Sequence, residues 1–479
     1  MLKPKVILFV LLVSIAFTMQ SSAQQYVLLG WNDLGMHCSN KDFSKMAVLP
    51  PYNNVFAQLI KKQTGQLPQI VTNGFSIEYS IPGNTYSVGK TNFWSYAQQL
   101  FGLPNPLPNN IGLTGKGLTG VLDASTGYFS VHGIPNTPYA DNDLVNEKPF
   151  QTFRIEAKQN GNMVAFTENV IPVSNEIGCV QSGCHSSEQS IKNEHPGVTG
   201  FQQNSPELCA RCHASNALGT VGDPVAKSFS YRIHEKHKDI QPVNSINTCY
   251  KCHPGPNTQC FRDIMKSNNM TCQDCHGTMN TIASSINSGR RPWLDEPKCG
   301  SSGCHGSNYA EEPNKLYRDS KGHGGLYCSS CHGSPHAVYP TTQPNDNLQS
   351  IRVQGHVGAI DDCMVCHSSP PPGPGPHGIT YLGIVKVEGD VPQKFALGQN
   401  YPNPFNPSTS IKLDIAEKTH VELKVYDAMG REAATLVNGV VEPGVYLAKW
   451  QAEAIASGVY FYVLKTDKYR ETKKMILLR

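Results

Sequence analysis

The sequence predicts a multidomain fold with a mostly-β N-terminal domain, an irregular, short-helical central domain and a C-terminal Ig-like β-sandwich. Three observations lead to this division. Segments of β-forming residues separated by turns dominate the first third of the chain, closely spaced cysteines and histidines fill the middle, and alternating apolar residues return at the end. The 479 residues are enough for two or more domains of ordinary size.

The charge of the chain is nearly balanced. The formal net charge is +3 and no long run carries one sign. This gives no support for nucleic-acid binding or for an electrostatic membrane anchor. The 42 glycines and 34 prolines predict a large share of turns and loops.

A secretory signal peptide is predicted over residues 1–23. It begins with the basic segment Met1-Leu-Lys-Pro-Lys5, continues with an apolar run from Val6 to Phe17 and ends in small residues up to Ala23. The 12 residues of that run are too few to cross a bilayer, which takes about 20. We therefore expect export and cleavage after Ala23. No other segment is long and apolar enough to predict a transmembrane helix.

Residues 24–173 are predicted to form the β-rich domain. The segments 74–81, 120–131, 150–157 and 163–170 are rich in β-forming residues, and turn-rich pieces lie between them. The sequence does not indicate what this domain binds. It is interpreted as a structural cap on the central domain, with a docking surface or a contributor of an extra axial ligand as the alternatives.

A pattern of two cysteines followed by a histidine recurs seven times between residues 174 and 380. Five copies are Cys-x-x-Cys-His, and two have four residues between the cysteines. This pattern is typical of c-type haem attachment, in which the cysteines form thioethers and the histidine binds the iron. Structural zinc also uses cysteine pairs, but it needs no histidine directly after the second cysteine. We therefore predict about seven covalently bound haem c groups in a multihaem domain over 174–380. In chain order the motif residues are Cys179, Cys184 and His185; Cys209, Cys212 and His213; Cys249, Cys252 and His253; Cys272, Cys275 and His276; Cys299, Cys304 and His305; Cys328, Cys331 and His332; Cys363, Cys366 and His367.

Seven further histidines lie in the same region and equal the motifs in number. They are His195, His234, His237, His323, His336, His356 and His377. Because a second histidine on each iron would use all seven, we predict bis-histidine ligation throughout.

The spacing of these histidines adds detail. His336 follows His332 by four residues, which is too close to reach the opposite face of the same haem, so His336 is predicted to serve a neighbouring haem. His234 and His237 are three residues apart on one predicted helix face. We expect them to serve two different haems that lie close together.

Three residues outside the motifs leave alternatives open. His37 is a candidate axial ligand that would replace one of the seven. Cys38 and Cys260 are the two cysteines outside the motifs, and in an oxidising compartment they could pair. Such a disulfide would join the β-rich domain to the multihaem domain, but sequence spacing cannot show that the two thiols meet.

A proline-rich stretch leads to a linker over 381–396 and a terminal domain over 397–479. The proline stretch is extended and carries His377. Five segments of the terminal domain alternate with period two, which predicts a small β-sandwich. They are 410–415, 420–427, 444–452, 458–466 and 473–479.

The terminal domain resembles the C-terminal sorting domain of type IX secretion substrates. Three segments carry the resemblance: Asn-Pro-Phe-Asn-Pro-Ser-Thr at 403–409, Gly-Val-Tyr-Phe at 458–461 and Lys-Lys-Met-Ile-Leu-Leu at 473–478. The resemblance implies passage across the outer membrane by the type IX secretion machinery. It also implies that the mature chain lacks the region after about residue 392.

The seven motifs resemble those of multihaem c-type cytochromes, and the segment that opens the β-rich domain at 31–38 resembles the opening of other such proteins. The resemblance implies an extracellular or cell-surface electron carrier that exchanges electrons with redox partner proteins or an extracellular acceptor. One alternative is a reductase of nitrite, hydroxylamine or a sulfur oxyanion with one open haem. The other is a subunit of a conductive filament, which would require self-assembly. The sequence favours the carrier over an enzyme, since it contains no Cys-x-x-Cys-Lys motif.

Overall fold

The computed structural model describes residues 25–301, 303–309, 311–369, 371, 375–378, 382–387, 390–452 and 455–478. The predicted signal peptide and its cleavage site lie outside these residues. In the part of the chain that is described, no helix is long and apolar enough to cross a membrane.

Two β-sheets form the N-terminal domain. One has the order β1-β4-β9-β8 with β5 added to β4, and the other has the order β2-β11-β10-β6-β7. Helix α1 (Phe93–Phe101) lies between β6 and β7 in the chain. The strands are β1 (Tyr26–Asn32), β2 (His37–Cys38), β3 (Met46–Ala47), β4 (Asn53–Lys61), β5 (Gln69–Val71), β6 (Ser76–Ser80), β7 (Gly120–Val121), β8 (Asp123–Ser125), β9 (Tyr128–Ile134), β10 (Phe150–Gln159) and β11 (Asn162–Ser174).

Strand alternation explains how the two sheets pack. Every second residue of β10 is buried, including Phe153 and Ile155, and these meet Leu28 and Phe129 of the other sheet in one apolar cluster. The predicted segments 150–157 and 163–170 are the two arms of the β10–β11 hairpin. Asn160 and Gly161 connect them, both with positive φ, as a tight hairpin turn requires.

The central domain consists of short helices and loops. Its α-helices are α2 (Glu188–Asn193), α3 (Phe229–Lys236), α4 (Ile246–Cys249), α5 (Ile264–Ser267), α6 (Cys272–His276), α7 (Met279–Asn287), α8 (Cys328–His332) and α9 (Leu348–Gln354). One short strand, β12 (Glu207–Leu208), pairs with β3 of the N-terminal domain. The described apolar side chains buried here are few and scattered: Ala210, Tyr250, Phe261, Ala283, Ala337, Tyr339 and Val365.

The N-terminal domain supports the central domain through buried polar contacts. Arg262 donates two hydrogen bonds to Asp346, at 2.6 and 2.8 Å, and a third to the Gly35 carbonyl at 2.7 Å. The Gln349 side chain accepts from the Gly30 N–H of β1 at 2.8 Å and donates to the Ser330 carbonyl of α8 at 3.2 Å. These bonds tie the two domains together close to the motif in α8.

The C-terminal domain is a sandwich of two four-stranded sheets, with orders β13-β18-β15-β14 and β17-β16-β19-β20. Its strands are β13 (Ile384–Val387), β14 (Ala396–Leu397), β15 (Ser408–Ile415), β16 (Thr419–Asp427), β17 (Glu432–Val441), β18 (Gly444–Gln451), β19 (Gly458–Lys465) and β20 (Arg470–Leu477). The five predicted strands correspond to β15, β16, β18, β19 and β20.

Two parts of this sandwich differ from the sequence-based expectation. The range 381–396 is predicted as a linker, but Ile384–Val387 within it pairs with β18. Its apolar residues explain the strand, since they pack partly buried at the edge of the core. Strand β17 was not predicted, because register shifts against β16 interrupt its alternation.

Candidate functional site

The short motifs place their two thiols on one side of a helical turn. In α6 and α8 the whole Cys-x-x-Cys-His segment is one turn, so cysteines three residues apart lie on the same face. Both helices end at a glycine with positive φ, Gly277 or Gly333, a conformation that glycine adopts without strain. The histidine is thereby held at the end of the turn that carries both thiols.

The two long motifs close in the same way as the short ones. In the short motifs outside α6 and α8, the histidine N–H donates to the carbonyl of the first cysteine, for example His213 to Cys209 at 3.0 Å. In the long motifs His185 donates to the Cys179 carbonyl at 3.1 Å and His305 to the Cys299 carbonyl at 3.1 Å. The long motifs therefore end with the same backbone hydrogen bond as the short ones.

Six of the seven motif histidines face a second histidine. Two imidazoles that bind one metal ion from opposite sides have ring centres roughly 6 Å apart, because each metal–nitrogen bond is about 2 Å long. The observed pairs, with their centroid distances, are His185–His237 at 6.1 Å, His213–His195 at 6.2 Å, His253–His234 at 6.3 Å, His276–His336 at 6.1 Å, His332–His377 at 5.9 Å and His367–His323 at 6.1 Å.

These pairs show which histidines face His336, His234 and His237, the three residues whose partners were expected from their spacing. His336 lies beside His276 and not beside His332, four residues before it. His234 and His237 lie on α3 and at its C-terminal end, and they face histidines of two different motifs. The pairing thus brings the first and third motifs, in chain order, to the same helix.

Several of these rings have one nitrogen fixed by the backbone. The Nδ1 atoms of His213, His234 and His237 lie 2.7–2.8 Å from carbonyl oxygens. A ring that donates from Nδ1 presents Nε2 as an acceptor, and this arrangement is usual for metal-ligating histidines. Burial, followed by the nearby His276, lowers the pKa of His336 to about 3. The neutral imidazole, which is the form that binds metals, is therefore favoured.

Two predicted ligands lack such a partner. His305 has no second histidine packed against it among the described residues, and its nearest aromatic neighbour is Tyr309, at 6.4 Å between ring centroids. His356 packs against no described motif histidine, and its Nδ1 lies 3.0 Å from the Val357 carbonyl and its Nε2 3.6 Å from Asp361. The seven motif histidines and the seven further histidines therefore form six pairs among the described residues.

His37 occupies a different environment. It is buried in β2, and its Nε2 lies 2.8 Å from the Asp33 carboxylate. Burial raises the pKa of Asp33, but the contacts with His37 and Asn54 outweigh it and leave that pKa below its usual value. His37 thus belongs to a hydrogen-bond network inside the N-terminal domain.

Cys38 and Cys260 are free thiols in this structure. Burial, followed by the neighbouring Cys260, raises the pKa of the Cys38 thiol to about 12. The segments that carry the two cysteines are in contact. Ser174, the β11 partner of Cys38, hydrogen-bonds at 2.8 Å to Thr258, which precedes Cys260 by two residues. The N-terminal and central domains therefore meet close to these two cysteines.

Hydrogen bonds place the first motif between the second and the third. The Gly178 N–H, next to the first motif, donates to the Cys252 carbonyl of the third motif at 3.1 Å. On the other side, Lys192 of α2 donates to the Ser205 carbonyl, just before the second motif. The spatial order therefore begins with the second motif, followed by the first and the third.

The fourth motif follows the third in space. Gln273 of the fourth motif donates to the Ser245 carbonyl at 2.7 Å, at the start of the helix that carries Cys249. Beyond it, His276 lies 3.9 Å from Glu296, three residues before the fifth motif. The fifth motif is thus the next in the series.

The last three motifs follow in chain order. The Tyr309 ring lies between His305 of the fifth motif and His377, which faces the sixth, with a centroid distance of 5.0 Å to His377. The Ile360 N–H, just before the seventh motif, donates to the Cys331 carbonyl of the sixth at 2.9 Å. These contacts link the motifs in the order second, first, third, fourth, fifth, sixth, seventh.

The donor set matches haem c better than structural zinc. Zinc needs about four ligands around one point, but the described residues contain no group of three or more His, Cys, Asp or Glu side chains that could hold a metal ion. Haem c needs from the protein two thioether cysteines and one or two axial ligands. Opposed histidine pairs beside cysteine pairs are that arrangement.

Comparison with known proteins identifies the C-terminal domain. Residues 399–478 match the family model described as a secretion system C-terminal sorting domain. No curated protein matches the chain. A solved structure of PorZ, a surface component of the type-IX secretion system of Porphyromonas gingivalis, is 21% identical over 18% of this chain and 11% of that chain, with a TM-score of 0.14. A glycosyl hydrolase family 2 member from Bacteroides cellulosilyticus is 10% identical over 94% of this chain and 78% of that chain, with a TM-score of 0.16.

The sorting domain establishes where the protein goes. It directs export across the outer membrane to the cell surface or the extracellular space and implies contact with the type IX secretion machinery. The segments at 403–409, 458–461 and 473–478 that carry the sequence resemblance all lie within or at the edge of the matched range.

Proposed function

We propose that this protein is an extracellular multihaem c-type cytochrome that carries electrons along a series of haem c groups attached at its seven motifs. The observation that carries the proposal is the opposition of six motif histidines to six further histidines at 5.9–6.3 Å. Export to the cell surface supports an extracellular redox partner or acceptor.

The residues of the chain have distinct tasks in this proposal. The paired cysteines would attach each group covalently, and the motif histidine, held by the turn that joins the two cysteines, would bind its iron. Backbone carbonyls at Nδ1 fix the rings of His213, His234 and His237, which would present Nε2 to the metal. When bound, the haem supplies an iron that accepts and releases one electron at a potential set by its ligands and burial.

The spatial order of the motifs supports a single route. Segments in or beside successive motifs are in contact through hydrogen bonds, the His276–Glu296 pair or a packed ring, and this favours the second and seventh motifs as the two ends of the series. The seventh lies against the N-terminal domain, where Val365 packs on Val27, Leu29 and Ile60. This packing supports the proposed role of the β-rich domain as a structural cap that would hold the motifs in fixed positions.

Intact mass and the visible spectrum of the purified protein test the proposal. Protein produced with haem maturation should carry seven covalent haems and show a low-spin spectrum dominated by six-coordinate iron. Removing the second motif with Cys209→Ser and Cys212→Ser should lower the count by one. A haem-free product, under conditions that load a known c-type cytochrome, would exclude the proposed function. Five haems would restrict it to the short motifs.

A further inference from the structure

The fifth motif differs from the other six in what faces its histidine. All fourteen histidines between residues 179 and 377 are among the described residues, and none packs against His305. Cys304 and His305 are both exposed. No described histidine therefore covers the side of this motif opposite His305.

The remaining histidine lies elsewhere. His356 lies next to the seventh motif, whose own histidine, His367, already faces His323. The His356 ring is held by the Val357 carbonyl and lies near Asp361, which precedes Cys363 by two residues. To serve the fifth motif, it would have to leave these contacts and cross the sixth motif, which lies between the fifth and the seventh.

Tyr309 does not occupy the position opposite His305. Its ring packs near His305, but it follows that histidine by only four residues. This is the separation between His332 and His336, which face different partners. The Tyr309 side chain is 50% exposed and packs on His377 at 5.0 Å. It is therefore placed between two motifs and not opposite His305.

We propose that the haem position at Cys299, Cys304 and His305 has no sixth ligand from the chain and binds a small external ligand with a free electron pair, such as carbon monoxide, cyanide or nitrite. This inference rests on the proposed haem function. Positions with histidine on both sides leave no coordination site for such a ligand. Because the fifth motif lies between the fourth and the sixth, its ligand would contact a centre that exchanges electrons in both directions along the series.

Titration of the haem-loaded, full-length protein with carbon monoxide tests the proposal. We expect the reduced protein to bind one carbon monoxide per chain, and the oxidised protein to show a high-spin signal from one haem in seven. Cys299→Ser combined with Cys304→Ser should remove one haem and all carbon monoxide binding. Tyr309→Phe should leave the stoichiometry unchanged.

His323 and His356 form a matched pair of variants, since both lie near the seventh motif and only His323 faces a motif histidine. His323→Ala should raise carbon monoxide binding from one to two per chain, whereas His356→Ala should leave it at one.

Protein with seven haems, low-spin iron throughout and no carbon monoxide binding would overturn this proposal and leave the electron carrier intact. Binding that appears only in His356→Ala would also overturn it, because His356 would then be the sixth ligand. A product without covalent haem would instead reject the proposed function.

Discussion

The central and C-terminal domains differ in how many apolar side chains they bury. In the C-terminal sandwich, nineteen of the described side chains form one buried apolar cluster within about 80 residues, and Val421, Leu423 and Leu464 are fully buried. The central domain spans about 200 residues, yet its described buried apolar side chains are few and three of them are alanines. Apolar burial is the main favourable term in folding. The sandwich therefore has a core of its own, and the central domain must be stabilised by something that its side chains do not provide.

The largest effect expected from this difference is on folding without cofactor. If haem groups fill the interior of the central domain, protein made without haem maturation should lack stable structure between residues 179 and 367, while the sandwich still folds. Hydrogen exchange of the intact chain measures this. Amides of α3, α6 and α8 should exchange as in an unfolded chain, and those of β15, β16 and β19 should stay protected. Protection of the central helices in haem-free protein would show that side chains alone suffice there.

A second prediction concerns the polar contacts that the central domain uses where a core is missing. Arg262→Ala would leave the Asp346 carboxylate buried without its bidentate partner, and breaking such a pair costs about 3–5 kcal/mol. The thermal midpoint of the haem-loaded protein should fall by several degrees or more, and exchange should increase first in the segments around Gly35 and Asp346.

The matched control is another arginine of the same domain. Arg291 makes an ion pair with Asp295 at 2.8 Å, but both side chains are exposed. Exposed pairs contribute little, so Arg291→Ala should leave the midpoint nearly unchanged. Equal effects of the two substitutions would contradict the view that Arg262 joins the domains.

The two domains also differ in how far the sequence predicts them. In the sandwich, every second residue is buried from Thr419 to Val425 in β16 and from Tyr460 to Leu464 in β19, so period two identifies these strands directly. The sorting-domain segments add a specific resemblance. Strand β17 was not predicted because its register shifts twice against β16, and no local pattern records such shifts.

In the central domain the motifs can be read from the sequence, but their partners cannot. The Cys-x-x-Cys-His pattern is local, since its residues lie within one helical turn. The facing histidine is set by tertiary structure: His276 meets His336, sixty residues later, while His213 meets His195, which precedes it. Equal numbers of motif and further histidines therefore predicted seven pairs. The structure contains six among the described residues, because His305 and His356 do not face each other. Spacing was informative in two places: His336 lies beside His276 and not beside His332, and His234 and His237, three residues apart, face histidines of two different motifs.

The smallest effect expected concerns a single buried hydroxyl in the sandwich. The Tyr462 hydroxyl donates to the Gly398 carbonyl and accepts from the Asn400 N–H, both at 2.9 Å. Burial raises its pKa to about 12. Tyr462→Phe keeps the ring in the core but leaves two backbone groups without a partner, which costs about 1–3 kcal/mol. Because the nineteen-residue cluster stays intact, the sandwich should remain folded, with faster exchange confined to β14 and the segment that follows it. The matched control is Tyr401→Phe, since Tyr401 is 81% exposed and should have no measurable effect. Loss of the whole sandwich in Tyr462→Phe would show that this hydrogen-bond pair, and not the apolar cluster, holds the domain together.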